Sequence, residues 1–86
     1  MKITMMADTS TIENAQTLIL ETIKKRNPGI EPGQPFDWLI INTKLRHTVT
    51  AEEFSAAMAE LGAAGLIGAD PSRRQFILTK KGFEAL

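Results

Sequence analysis

Eighty-six residues suit one domain with one hydrophobic core and modest stability. Ten basic and ten acidic residues cancel, so no overall field draws the chain to nucleic acid, an anionic membrane or an acidic substrate; only a local patch could do so. The absence of cysteine excludes disulfides and thiolate metal ligands and suits a reducing compartment.

The first nine residues carry no helical period, although Ile3 and Met5 alternate with Lys2 and Thr4. A flexible tail over 1–9 is expected, with a short edge strand as its alternative. MKITMM lacks the apolar core and cleavage site of a secretory leader, and no apolar run here is long enough to cross a bilayer. The expectation is therefore a cytoplasmic protein without membrane contact.

Ser10 with Glu13 has the spacing of a capping box and opens a first helix ending near Arg26. Ile12, Ala15, Ile19 and Ile23 form its inward stripe, broadened by Leu18 and Leu20. Lys24, Lys25 and Arg26 could bind phosphate, but their position complements the negative end of the helix dipole, which is the simpler reading. NPGIEPGQP ends the helix and is too short to separate domains. Within it Ile30 is a candidate for a single bridge to a later strand.

Pro35 suits the first position of a second helix running to about Arg46, where its missing amide hydrogen costs nothing. Phe36, Leu39 and Ile40 then make one apolar stripe, and Trp38, Ile41 and Leu45 make another nearly opposite. A helix that is apolar on two sides is buried on both. One stripe would face the core; Trp38, Ile41 and Leu45 would be covered by the chain's own ends or by a partner, most sharply a second copy.

The third helix start is strongly marked. Thr50 and Glu53 form a second capping box, Val49 and Phe54 occupy the positions of a hydrophobic staple, and Glu52 and Glu53 complement the positive end of the dipole. At about 100° per residue, Phe54, Ala57, Met58, Leu61 and Gly65 share one face, while Glu52, Ala56, Ala59, Glu60 and Ala63 share the other. Gly65 is the expected stop. Gly62 reads either as a frayed last turn or as a close approach to another helix. Leu66 and Ile67, the turn GADPS and the run RRQFILT then predict a short hairpin with Arg73 and Arg74 at its tip. Beyond Thr79, Phe83 and Leu86 are spaced for a last helix, against which Gly82 counts.

From Ser10 to Leu86 this order resembles the winged helix-turn-helix family, in a bacterial regulator-like form. The resemblance rests on Gly65, Leu66 and Ile67 after an apolar third helix, then Arg73, Arg74, Phe76, Leu78, Thr79 and Gly82. It implies a small α+β domain over 10–86, with a three-helix core and a C-terminal β-hairpin wing. Members are mostly DNA-binding transcription regulators, often dimers; a minority use the fold for protein contacts alone. By position, helix-turn-helix would span Pro35 to Gly65, with Thr50 to Ala64 as the recognition helix. Its outward residues Glu52, Ser55, Ala56, Ala59, Glu60 and Ala63 offer no Arg, Lys, Asn or Gln for base edges. The DNA contacts implied are therefore Lys44, Arg46 and Ser55 around the turn and Arg73 and Arg74 on the wing, mostly to phosphate.

No enzyme is expected. His47 is the only histidine and sits between Arg46 and Thr48. No residues cluster at metal-ligand spacing, no base neighbours Ser55 or Ser72, and no glycine-rich phosphate loop follows a strand. No cofactor is expected either.

Overall fold

A computed structural model describes residues 9–70, 72 and 75–86. The described residues form an α+β fold of four helices and a three-stranded antiparallel sheet. The elements are α1 (Thr9–Arg26), β1 (Pro35–Phe36), α2 (Trp38–Leu45), α3 (Ala51–Ala63), β2 (Ile67–Asp70), β3 (Gln75–Leu78) and α4 (Lys80–Ala85). The expected tail and its alternative edge strand lie outside the described residues, except Thr9, which opens α1; Ser10 is thus inside the first turn rather than at the cap.

Ala15, Ile19 and Ile23 of α1 are buried, following the three- and four-residue spacing of one helical face. That face packs chiefly on α3 and secondarily on α2. At the end of α1, the Asn27 amide and side chain both donate to the Ile23 carbonyl. Two Pro-Gly turns follow. Ile30 donates to the Asn27 carbonyl and Gln34 to that of Glu31. In the second turn Pro32 and Gly33 hold the central positions, and Gly33 has φ 86°, the left-handed value that a type II turn requires there. Ile30 makes no strand bridge but is buried in the core, pinning the loop between its two turns.

The next segment departs from expectation. Pro35 does not begin a helix: Pro35 pairs with Ile77 and Phe36 with Phe76, adding β1 to the sheet in the order β1-β3-β2. Gly33 donates to the Leu78 carbonyl and Leu78 to that of Gln34, extending the ladder. Proline is tolerated here because it opens an edge strand. The strand sends Phe36 into the core, where it stacks on Phe76 at 6.3 Å, while Trp38 meets Phe76 edge-on at 6.4 Å. Asp37 is the cap of α2, its carboxylate accepting from the Leu39 and Ile40 amides.

At α3 the Glu53 amide donates to the Thr50 hydroxyl at 3.0 Å and the Thr50 amide to the Glu53 carboxylate at 2.9 Å, completing the box. Val49 and Phe54, on either side of it, are both buried in the core. The helix ends in a Schellman motif: Leu66 donates to the Leu61 carbonyl and Gly65, at φ 78°, to that of Gly62. Strand β2 runs through Gly68 and Ala69 to Asp70, further than the expected turn allowed, because Asp70 pairs with Gln75. Asp70 tightens the tip by accepting from the Ser72 amide and hydroxyl.

Thr79 joins the two ends of this hairpin. Its hydroxyl lies 2.6 Å from the Gly65 carbonyl and 2.9 Å from that of Leu66, its amide donates to Leu66, and the Gly82 amide donates back to its hydroxyl. Gly82 is buried, and a Cβ there would collide with the Leu66 carbonyl oxygen and lie 2.9 Å from Leu78 Cδ1. The glycine that counted against a last helix is the residue that lets the helix dock. Gly62 is the opposite case: it is exposed, and a Cβ there would meet nothing within 4 Å. We expect Gly62→Ala to stabilise by about 0.5–1 kcal/mol through helix propensity. Gly82→Ala should cost about 2 kcal/mol or more, lowering the thermal midpoint by roughly 10 °C. Thermal unfolding followed by circular dichroism checks both; an unchanged midpoint for Gly82→Ala would exclude the close approach to Leu66.

Candidate functional site

The α2–turn–α3 corner is built by local hydrogen bonds. Thr48 and Val49 both donate to the Leu45 carbonyl, closing α2, and the Thr50 box starts α3 at once. Val49 turns inward between them as a buried anchor. His47 lies exposed in the turn. Along α3, Glu52, Ser55, Ala59, Glu60 and Ala63 are exposed and Ala56 half-buried. This face is small and acidic, and Ser55 is its one hydroxyl. The Glu53 carboxylate is engaged in the cap, leaving Glu52 and Glu60 as the helix's outward carboxylates.

Lys44 and Arg46 are both exposed but serve different surfaces. Arg46 borders a shallow depression with Asn42, Thr43, Val49 and Ala51, beside the start of α3. Lys44 instead faces α1, across a cleft lined by Leu18, Glu21, Thr22, Lys25, Arg26 and Leu45. Sequence order groups the two cations; two helical steps, about 200° in all, separate them. Arg73 and Arg74 lie outside the described residues; of the rest of the expected set, Arg46 lies beside the start of α3, Ser55 is exposed further along α3, and Lys44 is turned toward α1.

The stripe expected to meet a partner is turned inward. Ile41 is 1 % and Leu45 7 % exposed, and Trp38 is half-buried against Phe76. The exposed apolar pair is Leu39, at 59 %, and Ile40, at 41 %. The physical reason is phase. Once α2 begins at Trp38 rather than Pro35, Phe36 no longer belongs to its helical pattern, and Trp38, Ile41 and Leu45, three and four residues apart, define its one core face. A dimer through Ile41 and Leu45 would require unfolding this core.

Among the described residues no group of three or more histidine and carboxylate side chains is gathered to hold a metal ion, and no helix is long and apolar enough to cross a membrane. No protein-family model, curated protein or solved structure matches the chain.

Two features were missed in the sequence. Asp37 before an apolar run is a cap signal in its own right, overshadowed by Pro35. The pairing of Lys25 and Arg26 with Lys44 has no local signal, because it depends on how α1 and α2 meet. Ile41→Asp should abolish the cooperative unfolding transition, since an unpaired buried charge costs more than about 4 kcal/mol, comparable to the whole stability of a small domain. Leu39→Asp, in an exposed first turn, should leave the midpoint within a few degrees. A well-folded Ile41→Asp monomer would instead restore the outward stripe.

Proposed function

We propose that this chain is a winged-helix protein of the DNA-binding regulator kind, acting in the cytoplasm and binding without catalysing a reaction. The observation that carries the reading is the element order α1-β1-α2-α3-β2-β3, in which a tight α2–turn–α3 unit is followed by a hairpin and β1 adds to that hairpin's edge. A two-helix corner followed by a β-hairpin would offer two contact surfaces to a duplex. The chemistry of those surfaces sets the mode. With no Arg, Lys, Asn or Gln on the outer face of α3, base edges have no bidentate partner there. Binding would run through phosphates, using Lys44, Arg46, the Ser55 hydroxyl and the wing residues Arg73 and Arg74. Glu52 and Glu60 would weaken it, and their repulsion from the backbone phosphates would limit how closely α3 enters the groove.

A second reading has its own support. Leu39 and Ile40 are exposed at the start of α2, and small residues on α3 permit close packing of another helix. A winged-helix module that meets a protein partner, or a second copy of itself, through these faces and does not bind DNA is the alternative.

Salt dependence separates the two. If Lys44, Arg46, Arg73 and Arg74 each neutralise one phosphate, log K against log salt should fall with a slope of about −3.6 or steeper, a loss of roughly a hundredfold from 50 to 200 mM. Fluorescence anisotropy with a labelled mixed-sequence duplex measures the slope, and Glu52→Gln with Glu60→Gln should raise affinity at low salt. No binding at low salt, where phosphate contacts are strongest, would rule out the DNA reading and favour the protein partner.

A further inference from the structure

The cleft between α1 and α2 has a charge imbalance that helix dipoles do not account for. Lys25 and Arg26, in the last turn of α1, face Lys44, in the last turn of α2, and Glu21 is the one carboxylate among the residues lining the cleft. Lys24 borders the adjoining depression with Glu21, Lys25 and Pro28. Within the cleft itself the three cations Lys25, Arg26 and Lys44 less Glu21 leave two positive charges. Each helix C-terminus carries about half a negative charge, so two of them offset only about one. An excess of about one positive charge remains in a concave site that Leu18 and Leu45 also line. Low-dielectric walls on a concave surface focus such a field rather than spreading it into solvent.

We infer that this cleft is a phosphate subsite, in which Lys25, Arg26 and Lys44 hold neighbouring backbone phosphates of duplex DNA. The inference rests on the DNA reading and extends it to a part of the molecule that the helix-turn-helix comparison does not include. Arg26 supplies a planar fork for two phosphate oxygens, while Lys25 and Lys44 approach as point charges from the two helices. Lys44 and Arg46 diverge around the end of α2. A backbone following that end would therefore meet Arg46 on one side and the cleft on the other. The footprint would wrap the α2 terminus instead of being confined to α3 and the wing.

The test compares wild type, Lys25→Gln with Arg26→Gln, and a charge-matched control, Lys80→Gln with Lys81→Gln at the start of α4. Glutamine keeps helix propensity, and the amide spectrum of each free variant reports its fold. Titration with a mixed-sequence duplex should shift the amides of Thr22, Lys25, Arg26 and Lys44 in wild type. The α1 double variant should lose those shifts and flatten the salt slope by about two, with the control changing it by less than one. Duplex binding with an unchanged slope and no shifts in the cleft would overturn the subsite and leave the DNA reading standing. An equal loss in the control would also overturn it, as a general charge effect. Shifts with inorganic triphosphate but none with duplex would reassign the cleft to a free phosphate compound. No duplex binding by any form would remove both the reading and the subsite.

Discussion

The contact between the Leu66 carbonyl and the bare Cα of Gly82 is the constraint on which the C-terminal half of the fold depends. Leu66 lies where α3 has just ended and β2 is about to begin; Gly82 lies in the first turn of α4. Four hydrogen bonds centred on Thr79 hold the two segments together, so the end of α3, both strands of the hairpin and α4 share one junction. The Thr79 hydroxyl is part of this geometry because it both caps α4 and meets the carbonyls of Gly65 and Leu66, the two residues that follow the α3 C-cap. With that junction in place, Leu78 and Ile67 are buried beneath it, and β3 presents its other edge to β1. Phe36 is carried into the core by that pairing, and α2 takes its phase from Asp37 immediately afterwards.

The surface chemistry is a consequence of that phase. Turning Trp38, Ile41 and Leu45 inward leaves Leu39 and Ile40 outside and sends Lys44 toward α1. On α3 the same logic buries Phe54, Ala57 and Leu61 and leaves an acidic, small-residue face. The cations are therefore displaced from the helix that would read bases to the surfaces flanking it. A chain with zero net charge can still bind phosphate when its charges are segregated in this way, because the interaction is short-ranged at physiological salt. The proposed function depends on that segregation more than on any single residue.

What could be read in advance followed how local each signal is. The Thr50–Glu53 box, the Gly65 stop and the buried face of α3 are written within a few residues of one another, and all appear in the structure. Strand β1 is different. Pro35 and Phe36 become a strand only because Phe76 and Ile77 lie some forty residues later, and in isolation Pro35 is as good a helix start as Asp37 is a cap. That single misplaced boundary inverted the two faces of α2. Gly82 was legible as a weakness and illegible as a requirement, since only the packed junction reveals what a Cβ would strike. The cleft cations were visible as a run at the end of α1, but their opposition to Lys44 is a tertiary fact.

Phosphate contact without base readout is the central functional claim, and selection from a random-sequence duplex pool tests it most directly. Repeated rounds of capture at low salt should enrich no motif, with individual recovered duplexes binding within a few-fold of one another, as expected where α3 lacks base-reading donors. A recovered motif bound a hundredfold more tightly than scrambled duplex would contradict the account, showing that α3 or another element reads sequence despite its acidic face.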